Sequence, residues 1–100
     1  MKGKKCDRGK PRFDLLPPEP ILEVVKVLTL GSEKYADENW KYVEPFIKRY
    51  TAAAGRHENA RQRGIVFDPE TGLYHLAHKI CCDLFRLWKD IQDQRMVVKK

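Results

Sequence analysis

Leu73, Leu76, Ile80, Leu84, Leu87 and Ile91 recur at intervals of three and four residues, and Phe85 and Trp88 widen the stripe. This is the period of a helix; a half-buried strand would alternate instead. Ile21, Val25, Leu28, Ser32 and Tyr35 carry the same rhythm earlier in the chain, and Phe46, Tyr50, Ala53 and His57 carry it in the middle. The spacing predicts helices over about residues 18–36, 43–63 and 73–93. Proline suits the first turn at Pro18. Gly31 offers a place where the first helix can divide in two. Gly64 marks the end of the second helix. Asp37-Glu38-Asn39-Trp40 and Asp68-Pro69-Glu70-Thr71-Gly72 read as turns. Ile65-Val66-Phe67 has strand character but is too short to add a sheet. The class is therefore all-α, a small bundle of three main helices. The small residues Thr51-Ala52-Ala53-Ala54-Gly55 let a neighbouring helix approach closely. Three helices have few faces with which to enclose both a core and a pocket. The wide apolar face of the third helix thus predicts a bundle completed by oligomerisation, as a homo-oligomer.

Residues 1–17 read as a basic, extended arm, because Gly3 and Gly9 loosen it and Pro11 and Pro17 oppose a helix. Phe13, Leu15 and Leu16 are expected to anchor the arm on a single helical domain spanning residues 18–95, and residues 96–100 form a frayed basic tail. The net charge of +6 divides into +5 for residues 1–12, −2 for residues 13–94 and +3 for residues 95–100. The excess belongs to the ends, and no basic stripe runs along a helix as in many nucleic-acid readers. The arm is either solvated or folded over an anionic ligand such as a triphosphate; nucleic acid is a secondary partner, reached through counterion release. No apolar run approaches the roughly 20 residues of a membrane helix. The basic N-terminus lacks the apolar segment of a secretory signal. Cys6 stands alone, and the adjacent Cys81 and Cys82 make a poor disulfide geometry. Reduced thiols and a cytoplasmic location follow.

The chain lacks a glycine loop for phosphates, a nucleophile elbow and a His-Glu-x-x-His pair. What it has is histidines and acids. His75 and His78 share one side of the third helix, with Cys82 one turn further on, and this triplet faces away from the leucine stripe. Two imidazoles and a thiol can bind a transition metal, or the histidines can serve interhelical hydrogen bonding. His57 sits on the apolar stripe of the second helix, where a polar ring needs partners. It is either a satisfied buried histidine or part of a site with His75, His78 and the loop acids. Asp68 and Glu70, just before the third helix, either cap it or supply oxygen ligands to Mg²⁺ or Mn²⁺. Glu33 lies off the apolar stripe of the first helix, with Asp37 one turn later.

Several strings in order carry a resemblance. They are Gly9-Lys10-Pro11-Arg12-Phe13-Asp14-Leu15-Leu16-Pro17, Gly31-Ser32-Glu33-Lys34-Tyr35, Asn39-Trp40, Arg49-Tyr50 and Ala54-Gly55-Arg56-His57, followed by Asp68-x-Glu70-Thr71-Gly72-Leu73 and His75-Leu76-Ala77-His78. Over residues 9–92 the chain resembles the small dATP/dGTP diphosphohydrolases of phages and their hosts, placed near the MazG-like all-α nucleoside triphosphate pyrophosphatases. The resemblance implies metal-dependent hydrolysis of a purine deoxynucleoside triphosphate to monophosphate and pyrophosphate, in host cytoplasm if the chain is phage-encoded. It implies Glu33, Asp68 and Glu70 as ligands of Mg²⁺ or Mn²⁺. It implies His57, His75 and His78 as catalytic groups that bind metal, orient water or polarise a phosphate. Lys10, Arg12, Lys34 and Arg56 would contact phosphates. Tyr35 or Trp40 would stack on the purine, and Asn39 would read its edge.

The chain departs from the MazG-like pattern of Glu-x-x-Glu on one helix and Glu-x-x-Asp on the next. Three residues after Glu33 stands Ala36, and three after Glu58 stands Arg61; only Asp90 and Asp93 keep an acidic i, i+3 spacing. Either the metal site is rebuilt with histidines, or the chain is a small helical nucleic-acid-binding or interaction protein without catalysis.

Overall fold

Pro17 holds an extended backbone, and Pro18 and Glu19 open the first turn of a helix that follows it. Proline costs nothing there, because a first-turn N–H has no intrahelical partner, and an acid favours the N-terminal end of the dipole. The computed structural model describes residues 2–98; Lys99 and Lys100 of the expected tail lie outside the described residues. Among the described residues there are three α-helices, α1 (Pro18–Lys34), α2 (Phe46–Gln62) and α3 (His75–Val98), and no named strand. Short 3-10 turns occupy Phe13–Leu15 and Asn39–Tyr42. The all-α class expected from the apolar rhythm is what the chain adopts.

The helix ends differ from the expected ones for local reasons. α1 passes through Gly31 unbroken and stops at Lys34, where the Ser32 hydroxyl bonds the Asp37 carboxylate beyond the end. α2 starts at Phe46, after Pro45, and not at residue 43. Gly64 ends α2 as expected. It takes φ 87°, its N–H donates to the Arg61 carbonyl, and the Ile65 N–H donates to the Ala60 carbonyl. This paired closure requires a left-handed residue, which glycine supplies without steric cost. The 65–74 loop doubles back through one antiparallel bridge, Phe67 to Tyr74. Leu73 is consumed in that bridge loop, where its carbonyl accepts the Asp68 N–H at 2.8 Å. α3 therefore begins at His75, and it runs past Arg95, where fraying was expected.

Val24 of α1 and Cys81 and Phe85 of α3 form the core cluster, with Val27, Leu28, Trp40, Phe46 and Tyr50 packed around it. Trp40 stacks on Phe85 with centroids 4.2 Å apart and planes 7° apart, and Tyr50 meets Phe85 edge-on at 5.0 Å. Ala54, Ala60 and Ala77 are buried where α2 lies against α3; of the 51–55 run Ala54 is the buried member, while Thr51, Ala52 and Gly55 are exposed.

Burial distinguishes the faces of α3 and corrects the expected anchoring of the arm. The face of α3 that is buried carries His75, Ala77, Cys81, Cys82 and Phe85, whereas Leu76, Ile80, Leu84, Leu87 and Ile91 stay 38–57% exposed. α1 packs there through Val24 against Cys81 and Phe85, and α2 brings His57 to His75 and His78. Phe13, Leu15 and Leu16 do not anchor the arm on this chain: they are 79%, 67% and 51% exposed. No helix among the described residues is long and apolar enough to cross a membrane.

Candidate metal centre and adjoining cleft

His57 on the fourth turn of α2 faces the first turn of α3. Its Nδ1 lies 2.9 Å from Nδ1 of His75, and its ring stacks on that of His78, with centroids 4.6 Å apart and planes 9° apart. One of the two Nδ1 atoms must carry the shared proton, since a hydrogen bond needs one donor and one acceptor. The bridge loop adds Asp68. Its Oδ1 accepts the Glu70 N–H at 2.8 Å, which fixes the carboxylate, and its Oδ2 lies 3.9 Å from His57 Nδ1 and 3.8 Å from His78 Nε2. Thr71 Oγ1 sits 2.8 Å from His78 Nε2 and accepts the Leu73 N–H. Its hydroxyl proton is thereby free to point at the imidazole.

One donor atom from each of His57, Asp68 and His78 lies within 4.8 Å of the other two, the spacing a shared metal ion needs. Burial pushes the pKa of both His57 and His78 down, against the pull of the Asp68 carboxylate. Both rings are therefore held neutral at pH 7, the form that can ligate a metal or accept a proton.

The remaining expected residues separate into two groups. Tyr35, Asn39, Trp40 and Arg56 line one cleft of about 930 Å³ between the end of α1, the 39–42 turn and α2, together with Arg49 and Tyr50. Ala53 and Arg56 of this lining lie one turn or less before His57 on α2, so the cleft face of the helix runs on to the histidines. The stack on Phe85 makes Trp40 a wall of this cleft. Glu33, Lys34, Glu70, Lys10 and Arg12 are exposed and outside both the cleft lining and the three-donor group. Lys34 reaches Glu70 at 3.8 Å and lies over the Tyr35 ring; Arg12 is paired with Asp14 at 2.6 Å.

Of the α3 triplet only His78 belongs to the three-donor group, with His57 and Asp68 in place of His75 and Cys82. Cys82 is buried, and its thiol is pushed up to about 11, chiefly by that burial. Two contributors had no assigned role in the sequence reading. Arg49 entered only as part of a motif, and Thr71 only as a motif and turn residue. The contact of Thr71 with His78 crosses a loop, so helical spacing could not have indicated it.

Residues 1–98 match the family model described as dATP/dGTP diphosphohydrolase, N-terminal. The chain is also 36% identical over 88 residues to a protein of Salmonella phage PMBT28 named dATP/dGTP diphosphohydrolase. That match covers 88% of this chain and 30% of the phage protein, so the chain spans under a third of that relative's length. No solved structure gave a significant match. With the family model covering nearly every residue, the chain belongs to the dATP/dGTP diphosphohydrolase N-terminal family.

Proposed function

We propose that the chain hydrolyses a purine deoxynucleoside triphosphate to its monophosphate and pyrophosphate, with a divalent cation held by His57, Asp68 and His78 and the nucleotide in the adjoining cleft. The observation that supports this most is the continuity of α2, which carries Arg49, Ala53 and Arg56 into the cleft and His57 into the three-donor group. Two imidazole nitrogens and one carboxylate oxygen suit a first-row transition ion such as Mn²⁺ better than Mg²⁺, which prefers oxygen donors and keeps its waters. Such an ion, when bound, would neutralise triphosphate oxygens and acidify a water.

The chain's own residues supply the rest. Arg49 and Arg56 offer forked donors to phosphate oxygens. Tyr35 presents an exposed ring to a base, and Asn39 can pair with a base edge through one donor and one acceptor. His75, hydrogen-bonded to His57 through the two Nδ1 atoms, can take a proton from the attacking water as the oxygen bridging the α- and β-phosphorus leaves with pyrophosphate. Asp68, fixed by the Glu70 N–H, turns its second oxygen toward His57 and His78. Glu33 and Glu70 are not required as ligands in this reading.

Purified chain incubated with each deoxynucleoside triphosphate and Mn²⁺ or Mg²⁺ tests it. Pyrophosphate release from dATP or dGTP, stronger with Mn²⁺, is expected. Nucleotide binding without release from any of them would reduce the chain to a binding unit and end the catalytic proposal.

A further inference from the structure

We infer that Thr71 is a positioning residue of the metal centre: its hydroxyl holds the His78 lone pair that a cation would use, and yields it when one binds. The inference rests on the reading of His57, Asp68 and His78 as the cation's donors.

A hydroxyl has one proton to donate. Thr71 Oγ1 accepts the Leu73 N–H at 3.2 Å and lies 2.8 Å from Nε2 of His78. The Leu73 N–H takes an oxygen lone pair and not the proton, so the proton is directed at Nε2. That makes Nε2 the unprotonated nitrogen of a neutral ring and puts the ring's own proton on Nδ1. Nε2 is also the nitrogen that faces Asp68 Oδ2, at 3.8 Å. The His78 and Asp68 side chains are only 12% and 13% exposed, so little water competes for that lone pair. A buried ring nitrogen needs a partner, and Thr71 is the one it has.

One lone pair cannot serve two partners. An imidazole nitrogen holds a transition ion at about 2.1 Å, in the direction the hydroxyl occupies, which would leave under about 1 Å between the ion and Oγ1. Thr71 must therefore turn away before Nε2 can ligate. The loop itself does not depend on this side chain. The Gly72 N–H donates to the Asp68 carbonyl at 2.7 Å, the Asp68 N–H donates to the Leu73 carbonyl at 2.8 Å, and Gly72 supplies the left-handed turn at φ 74°. The 68–73 segment is thus closed by its own backbone, and the Thr71 hydroxyl acts on His78. Its removal takes a stabilising contact from the centre before binding and none after it, so a cation should bind more tightly without it.

Isothermal titration of the EDTA-stripped full chain with Mn²⁺ tests this. Thr71→Ala should bind about two- to tenfold more tightly than the parent, the factor one net hydrogen bond contributes. Thr71→Ser, which keeps the hydroxyl, should stay within about twofold of the parent. Thr71→Val, whose methyl fills the space without donating, should bind more weakly than Thr71→Ala. A residue that only supports the fold would loosen binding when cut to alanine. Circular dichroism and urea unfolding report the fold of each variant. If Thr71→Ala does not fold, long-range ¹H–¹⁵N spectra of the parent at pH 8 decide: Nε2 of His78 should be unprotonated and should shift when Zn²⁺ is added. A protonated Nε2 in the parent, or an affinity of folded Thr71→Ala equal to or below the parent's, overturns the inference and leaves the cation reading standing. No Mn²⁺ uptake by the parent overturns the cation reading and this inference with it.

Discussion

Asp68→Asn separates the two jobs of one side chain. Oδ1 of Asp68 closes the loop by accepting the Glu70 N–H at 2.8 Å, while Oδ2 faces His57 and His78 at 3.9 and 3.8 Å. Asparagine keeps the first oxygen and puts an uncharged amide where the second stood. The loop should therefore survive, and the unfolding free energy should change by less than about 1 kcal/mol, the net worth of a typical hydrogen bond. Cation binding should not survive. Unit charges about 4 Å apart attract by about 4 kcal/mol at the effective dielectric of a protein surface, nearly three decades in affinity, before desolvation is set against it. A loss of roughly 10²- to 10³-fold in Mn²⁺ affinity is expected on that basis. Isothermal titration of metal-free protein with Mn²⁺ measures it, alongside urea unfolding in EDTA. Affinity within threefold of the parent would refute the assignment of Asp68 as a ligand. Unaltered affinity together with a large fall in stability would make Asp68 a loop residue only.

Two further outcomes follow from the buried titratable groups. His57 and His78 have lowered pKa values in the folded state, so below pH 6.5 the unfolded chain binds protons that the folded chain does not. Metal-free protein should be most stable above that pH and should lose stability as pH falls through it, by at most about 1.4 kcal/mol per pH unit for each ring. His57→Gln should flatten the slope between pH 7.5 and 5.5 in urea titrations, and an unchanged slope would exclude His57 as a source. Burial pushes Cys81 up to about 12 and Cys82 up to about 11, while Cys6 is exposed. An aromatic disulfide reagent at pH 8 should thus modify one thiol per folded chain quickly and the other two only on unfolding; rapid modification of all three would contradict the packing.

Helix identity was legible because the apolar period is local, and the Gly64 stop was legible because its chemistry is. Which face turns inward was not. The longest aliphatic stripe of α3 was read as wide enough to call for a second copy, and within one chain the buried face is the one that carries His75, Cys81 and Cys82. Periodicity reports the hydrophobicity of a face but not whether a neighbouring helix brings partners for a polar one. His57 supplies that partner, and its placement among the expected site residues came from its polarity on an apolar stripe. The grouping of Asp68 with the histidines, and the exclusion of Cys82 from it, depended on the doubled-back loop, whose bridge pairs Phe67 with Tyr74 and leaves no periodic trace.

The three donors come from α2, the 65–74 loop and α3, and no two of them are neighbours in the chain. An unfolded polypeptide cannot present them together, so an ion that selects this geometry is also a ligand of the native state. Free ion at a hundred times its dissociation constant would deepen the native well by about 2.7 kcal/mol. In a domain with so small an interior, occupancy of the centre would then raise its thermal endurance, and a chelator would act as a mild denaturant.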